Sequence, residues 1–457
     1  MFYFIHVALF GWIPVIIYLF KWLPHRRVVA FVFVFATLFL PVWSFAIPTL
    51  PALGKYSATC YGVVLGTLIF DPKRFLSFRP SWVDIPMVVV CLSPFVTSVE
   101  NGLGVYDGMN VTLASVALTG VPYFFGRIFF NDLAGLKLLA TYIFIGSLFY
   151  IPLCWIENFI GPKIHLRVYG VLSFFDVNQA VRYGGYRPVV FMNHGLTVSL
   201  WMMSAAVIGL WLWRSRVITR VWNMTMKPVM ITLLLTVIAT RSTGAWVYLF
   251  IASLIFLVQG WARNLIVLLL VFTISAHLYL NVTGQFQGKV ISDWVSVNVA
   301  PDRGQSLDVR FSNEEILGDK ARQRPILGWG GWGRSRVPSL WDGVDHTVTD
   351  STWIMVFGTN GLVGLISWAA SLLLPVILFL IYYPGRVWHH PKIAPVAALT
   401  TVIVLTAMDD LLNACPTIVC TLAIGGLSGL MAENLRIRQD SGVPLFVAER
   451  YLPEQRS

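Results

Sequence analysis

The chain has 457 residues, of which 57% are apolar and only 12% carry a charge. With a mean hydropathy of +0.72, this composition excludes an ordinary soluble domain and predicts a polytopic membrane protein. The net charge of +11 does not indicate nucleic-acid binding, because the basic residues lie in short clusters between apolar segments, where they set membrane topology.

Apolar segments near the ~20 residues that cross a bilayer recur along the whole chain. The first one is followed, not preceded, by basic residues, so we interpret it as a membrane helix and not as a cleaved signal. The fold class that we predict is an all-α polytopic membrane protein with about thirteen transmembrane helices and one large external loop. The segments are residues 2–20, 28–50, 52–70, 82–99, 111–124, 136–155, 190–213, 229–239, 245–258, 265–280, 352–381, 394–408 and 418–431.

The connections between these segments fall into a basic set and a less basic set. By the positive-inside rule the basic set is cytoplasmic, which places the N-terminus and the loop 281–351 outside and the C-terminus inside. We therefore divide the chain into N-terminal membrane helices (1–281), a large external loop that carries part of the active site (282–351), three closing helices (352–432) and a cytoplasmic tail (433–457). Pro41, Pro94 and Pro122 are interpreted as ordinary kinks inside membrane helices.

Within the external loop, Ser312 and Glu315 have the spacing of a capping box and predict the start of a short helix. Further along, the Gly-rich run 328–333 leads into Arg334 and Arg336. Free backbone N–H groups, two indoles and two cations would suit an anionic, sugar-bearing ligand, and the alternative is a tight turn with interfacial Trp anchors.

Arginine on the external side is informative because the positive-inside bias works against it. A cluster of such residues predicts an anionic ligand. Arg241 carries the sharpest signal, since it lies at the mouth of an apolar helix, whereas we interpret His194 as structural and expect Asp409 and Asp410 to pair with an external arginine. The external arginines are Arg182, Arg187, Arg241, Arg310, Arg322, Arg324, Arg334 and Arg336.

His346 and Asp350 lie four residues apart, just before the apolar segment that starts at Thr352. On an extended helix they would share a face near the bilayer surface, where either side chain could serve as a general base. The alternative is structural, because Asp350 or Ser351 could cap the helix that follows.

These features together resemble the O-antigen ligase and O-antigen polymerase superfamily of bacterial membrane glycosyltransferases. The resemblance covers residues 182–431 and rests on the TRSTGA helix mouth, on Arg310 ahead of the RPILGWG run, and on the pattern DS-x9-GxxG that begins at Asp350. Ligases of this family normally have His where this chain has Asp350. That difference shifts the expectation from ligation to lipid A-core toward polymerisation or another glycan transfer.

The resemblance implies transfer of a glycan from a polyprenyl diphosphate, such as undecaprenyl diphosphate, to a hydroxyl of an acceptor glycan or glycolipid. Such reactions belong to O-antigen, lipopolysaccharide or exopolysaccharide biosynthesis at the external face of the inner membrane, without cofactor or metal. Arg187, Arg241 and Arg310, with Arg182 and Arg334, would bind substrate and diphosphate. Asp350 would be the base, with His346 in reserve.

Two other classes of protein remain open. A flippase for lipid-linked oligosaccharide would also need many helices and a basic cavity, but it would favour charges near the bilayer midplane and repeated halves. A non-catalytic subunit of a polysaccharide assembly system would explain the missing histidine.

Overall fold

Seventeen α-helices make up most of what the computed structural model describes, which is residues 2–47, 50–173, 180–339, 345, 347, 350–415 and 417–441. The helices are α1 (Phe2–Trp22), α2 (His25–Phe39), α3 (Lys55–Phe70), α4 (Ile85–Glu100), α5 (Val105–Ser115), α6 (Val121–Phe129), α7 (Leu133–Ile160), α8 (Ile164–Tyr169), α9 (Gly195–Arg214), α10 (Met226–Ala239), α11 (Thr243–Leu257), α12 (Trp261–Val282), α13 (Gly288–Asn298), α14 (Pro301–Arg322), α15 (Thr352–Tyr382), α16 (Ala394–Asp409) and α17 (Ile418–Ser441). Three antiparallel hairpins add β1 (Ser44–Ile47) with β2 (Leu50–Gly54), β3 (Val181–Arg182) with β4 (Gly185–Tyr186), and β5 (Arg220–Val221) with β6 (Met224–Thr225).

Eight helical stretches in the described part of the chain are long and apolar enough to cross a membrane, and three more apolar helices are shorter. The protein is therefore a multi-pass membrane protein, as predicted. Every predicted segment contains a helix, but a count of thirteen crossings stays a prediction. One segment was extended too far: α2 ends at Phe39, and residues 40–47 form a turn and the strand β1, so Pro41 lies beyond the helix and does not kink it.

The helices differ in how much of their surface other helices cover. In α9, 89% of the membrane-length apolar stretch is buried inside the protein. This helix packs against α7, α10, α11 and α16. In α1 and α12 only 28% is buried. An apolar helix that is covered all round belongs to the centre of a bundle, whereas apolar faces left open belong to the lipid-facing periphery. The central α9 begins where the candidate site lies.

Polar connections that were predicted to share a membrane side contact each other. In the basic set, Arg26 binds Asp132 at 2.7 Å, and Arg127 Nη2 donates to the carbonyl of Arg79 at 2.8 Å. In the other set, the Trp332 indole donates to Asp107 at 2.6 Å. The division into two sides therefore agrees with the fold, while the assignment of one side as external stays a prediction.

The long loop contains α13 and α14, which pack against each other. Pro301 occupies the first turn of α14, a position that favours helix initiation, and Ser312 lies in the middle of that helix. The predicted helix start at Ser312 was therefore wrong. Phe311, Leu317 and Ala321 are buried and hold α14 to its neighbours.

The Gly-rich run 328–333 packs against α15 through backbone hydrogen bonds. That helix is interrupted at Gly361, which has φ 62° and ψ −159°. The N–H groups of Trp329 and Gly330 donate to the carbonyls of Gly358 (2.9 Å) and Thr359 (3.0 Å), which the interruption of the helix leaves free. The first three N–H groups of the run, with that of Gly328 donating to the Arg324 carbonyl at 3.0 Å, are therefore already bonded, which favours the alternative of a tight turn. Anion binding by the rest of the run stays a prediction.

Candidate functional site

Arg241 fixes the hairpin β3–β4 over the mouth of α11. Its Nη1 group donates to the carbonyl oxygens of Arg182 (3.0 Å) and Tyr183 (2.6 Å). The Tyr183 ring stacks on Trp246 with centroids 5.4 Å apart, and its hydroxyl bonds Thr243 Oγ1 at 2.7 Å. The sequence therefore singled out Arg241 correctly as a residue with partners at this helix mouth. In the structure those partners are main-chain carbonyl groups.

Arg187 follows the hairpin and is buried, with 6% of its surface exposed. Its Nη2 group donates to the Arg241 carbonyl at 3.0 Å. Burial, together with the positive charges of Arg182, Arg303 and Arg310, lowers the pKa of Arg187 to about 10. The side chain stays charged at neutral pH, and three other arginines lie within electrostatic range of it.

The backbone around Arg187 is held by a buried carboxylate. Glu157, near the end of α7, accepts hydrogen bonds from the N–H groups of Val189, Val190 and Ile164, each at 2.8 Å. Accepting several backbone N–H groups compensates a carboxylate for its burial. This residue therefore anchors the segment that carries Arg187.

His194 is the N-cap residue of α9, as its structural interpretation predicted. Its Nδ1 atom accepts from the N–H of Leu196 at 2.9 Å. Burial, and then the charges of Arg187, Arg310 and Arg182, lower the pKa of His194 to about 4. The imidazole is therefore neutral at pH 7, and it adds no positive charge to the cluster.

One face of α14 connects the hairpin to the start of α15. Arg303, Arg310 and Glu314 are spaced by seven and four residues, which places them on one side of a helix. The Arg303 guanidinium lies 4.6 Å from the Tyr183 ring centroid, and Arg310 Nε lies 3.4 Å from an oxygen of Asp350. This face therefore brings arginines and carboxylates together at one place.

Asp350 lies just before α15, where its side chain pairs with Arg310. Ser351 is the N-cap residue of α15, and its side chain makes no capping hydrogen bond. The N–H of Thr352 is bonded instead by the Asp410 carbonyl at 3.0 Å. The alternative that Asp350 or Ser351 caps the helix was therefore wrong. The helical register with His346 does not apply either, because α15 begins after Asp350; His346 itself lies outside the described residues.

Asp409 and Asp410 were predicted to pair with an external arginine. The structure gives them other partners: Asp410 accepts from the Thr352 hydroxyl at 3.0 Å, and Asp409 accepts from Asn413 Nδ2 at 2.8 Å. Arg310 is within electrostatic range of Asp409, but the described residues contain no ion pair between them. These acids join the end of α16 to the start of α15.

Arg334 lies apart from the other candidate arginines. Its Nη1 group donates to the carbonyl of Asn101, beyond the end of α4, at 2.9 Å. The indole N–H of Trp329, five residues before Arg334, donates to the carbonyl of Lys320 at 2.7 Å, near the C-terminal end of α14. Lys320 is ten residues beyond Arg310, or about 15 Å along the helix. The structure therefore brings together Arg182, Arg187, Arg241 and Arg310, and not Arg334.

Arg303 and Glu314 also belong to this site, although they are not among the residues predicted from the sequence. Their spacing relative to Arg310 fits one helical face, and that signal was available. It was lost because the segment was interpreted as a short helix that starts at Ser312. With these residues included, the site combines five arginines, two of which bind main chain, with the carboxyl groups of Asp350 and Glu314. The cations could bind a polyanion, and a carboxylate could accept a proton.

Residues 228–369 match a family model described as O-antigen ligase. The match begins in α10 and ends in α15, so it includes Arg241, Arg310 and Asp350 but not Arg182 or Arg187. It confirms the resemblance that the sequence predicted. A search of curated proteins finds no match to the chain.

Proposed function

We propose, from the match of residues 228–369 to an O-antigen ligase family model, that the chain transfers or polymerises a glycan carried on polyprenyl diphosphate. The reaction takes place at the external face of a bacterial inner membrane. The observation that carries this proposal is the grouping of Arg182, Arg187, Arg303 and Arg310 beside Asp350.

Arg310 and Arg182 are the groups that contact the diphosphate. Arg182 is exposed, and the Arg310 side chain is 23% exposed. Arg310 binds Asp350 through Nε, and its two Nη groups make no hydrogen bond within the described residues, so they remain for a phosphate oxygen. Arg187 acts through its buried charge, and Arg241 positions the hairpin that carries Arg182.

The transfer step needs a group that accepts the acceptor's proton and groups that neutralise the leaving diphosphate, and this site supplies both. The acceptor hydroxyl oxygen attacks the anomeric carbon of the donor glycan, and the bond from that carbon to the diphosphate oxygen breaks. The electron pair leaves with the polyprenyl diphosphate, whose growing charge Arg310 and Arg182 neutralise, at about 3 kcal/mol for one well-placed donor. The hydroxyl proton passes to Asp350.

Reconstitution in vesicles tests this proposal. The purified protein is supplied with a polyprenyl diphosphate-linked oligosaccharide and a fluorescent acceptor glycan, and the product is sized. A longer product supports the proposal. Donor that crosses the bilayer without a new glycosidic bond indicates a flippase, and no activity without added proteins indicates an assembly subunit.

Glycan length in a deletion strain then separates the two transfer reactions. Loss of a polymerase leaves single repeat units on the acceptor, whereas loss of a ligase leaves the polymer on its lipid carrier. Polymer left on its lipid carrier would contradict the expectation of a polymerase, which was drawn from Asp350 at the position where ligases of the family have His.

The side of the membrane can be tested by thiol labelling. Four of the five native cysteines are buried and the fifth is partly buried, so background labelling is low. Ser312→Cys, on an exposed position of α14, should react with an impermeant reagent in intact cells, whereas Lys137→Cys should react only after lysis. The reverse pattern would place the site in the cytoplasm and contradict the proposed reaction.

A further inference from the structure

Glu314 is a buried carboxyl group directly behind the Arg310–Asp350 pair. It lies one helical turn after Arg310 on α14 and is 5% exposed. Its two carboxyl oxygens make no hydrogen bond of full geometry among the described residues. The Ser351 hydroxyl and the Trp353 indole N–H lie beside them, and both also lack such a bond.

The groups around Glu314 come from four elements. Arg310 faces it from its own helix, and Asp350, Ser351 and Trp353 face it from the start of α15. On α12, the His277 ring lies 6.1 Å from the Trp353 ring, and its Nε2 atom has no partner within the described residues.

On the α13 side, Lys289 and Glu314 line a cavity of about 250 Å³, which Glu315 also borders. The other charged residues that line this cavity are Asp308, Asp319 and Arg322, all on α14. Arg310 is the cation that lowers the pKa of Glu314, and Asp350 is the anion that raises it.

A carboxyl group in this environment favours its neutral form, because burial removes water and the neighbouring Ser351 hydroxyl and Trp353 indole compensate for it only in part. Burial raises the pKa of Glu314 to about 7, against the opposing effects of Ser351, Trp353 and Arg310, and Asp350 adds to the increase. Glu314 can therefore hold or release a proton near neutral pH, next to the Arg310–Asp350 pair.

We propose that Glu314 is a positioning residue that sets the basicity of Asp350 through the guanidinium of Arg310, which both carboxyl groups share. This inference rests on the proposed function. When Glu314 is neutral, the charge of Arg310 acts on Asp350 alone and weakens it as a base. When Glu314 is ionised, it competes for Arg310 and adds a negative charge, so Asp350 binds the acceptor proton more tightly.

The transfer rate as a function of pH tests this coupling. Glu314→Gln fixes a neutral side chain of the same shape, so its rate should match that of the wild type at pH 6 and fail to rise with it. The wild-type to variant ratio should therefore increase between pH 6 and pH 8, because the ionised fraction of a group that titrates near 7 increases about tenfold over that range. Glu314→Asp should restore the rise, and Glu315→Gln, on the exposed neighbour, should follow the wild type throughout. A constant ratio overturns the proposal.

Infrared difference spectroscopy tests the same coupling without transfer activity. The protonated carboxyl band that Glu314→Gln removes should titrate near neutral pH in the wild type. Asp350→Asn should shift its midpoint to lower pH by removing a negative neighbour, and Arg310→Gln should shift it to higher pH. Unchanged midpoints overturn the proposal, whatever the transfer rates are. Shifted midpoints with no transfer by the wild type contradict the proposed function and leave the coupling intact.

Discussion

Asp350→Asn separates a chemical role of this carboxylate from a structural one. The substitution keeps the shape of the side chain and removes its basicity and its charge. In the structure the Asp350 side chain is 43% exposed and its partner Arg310 is 23% exposed, with 3.4 Å between the paired atoms. A pair this open to water contributes at most about 1 kcal/mol to stability.

The expected effect on transfer is much larger. A positioned general base accelerates a reaction by about 10²–10⁴-fold. Its loss therefore corresponds to about 3 to 5 kcal/mol in the activation barrier. Since the helix-capping role has been excluded by the geometry at Ser351, stability and rate should respond to this substitution very differently.

The assay is transfer from a polyprenyl diphosphate-linked oligosaccharide in vesicles, with thermal unfolding measured on the same preparations. We expect Asp350→Asn to unfold within a few degrees of the wild type and to lose at least about a hundredfold in rate. Asp345→Asn is the matched control, because Asp345 pairs with Arg336 at 2.8 Å in the same loop. A well-folded Asp350→Asn protein with a near-normal rate would refute the assignment of Asp350 as the base.

Three further substitutions test other parts of the argument. Arg310→Lys keeps a charge but loses the planar fork, so transfer should fall at least about tenfold, whereas Arg334→Lys, near the other end of α14, should transfer normally; equal losses would restore Arg334 to the site. Gly361→Ala should lower thermal stability by about 2 kcal/mol or more, because φ is 62° and a side chain would collide with the Ile326 carbonyl, while Gly331→Ala enters open space and should change little. Glu314→Gln should stabilise the protein at pH 8 and hardly at pH 5. The pKa of Glu314 is about 7 in the folded protein, against 4.5 ordinarily, so the wild type is most stable at low pH. Its free energy of unfolding falls by up to about 3 kcal/mol as the pH rises from about 4.5 to about 7. Thermal unfolding at the two pH values measures this, and a pH-independent difference would contradict the raised pKa.

The sequence by itself determined the class of the protein, a resemblance to one family that residues 228–369 confirm, and the approximate positions of its helices. Apolar segments of membrane-spanning length have few structural alternatives, because the bilayer leaves no other way to satisfy backbone hydrogen bonds. The sequence also singled out Arg241, Arg310 and Asp350, since charge at a helix mouth on the predicted external side is costly without a purpose.

Only the tertiary structure decided which of these residues lie close together. Arg334 and Arg310 looked equivalent in sequence, but α14 separates the contacts that hold them, because a rigid helix fixes distance as well as direction. Arg241 proved to bind main chain, and the glycines of the loop proved to fill an interruption in α15. Glu314 acquires its significance from burial against Ser351, Trp353 and the Arg310–Asp350 pair. Burial of that kind depends on the packing of distant segments, and no local pattern in the sequence specifies it.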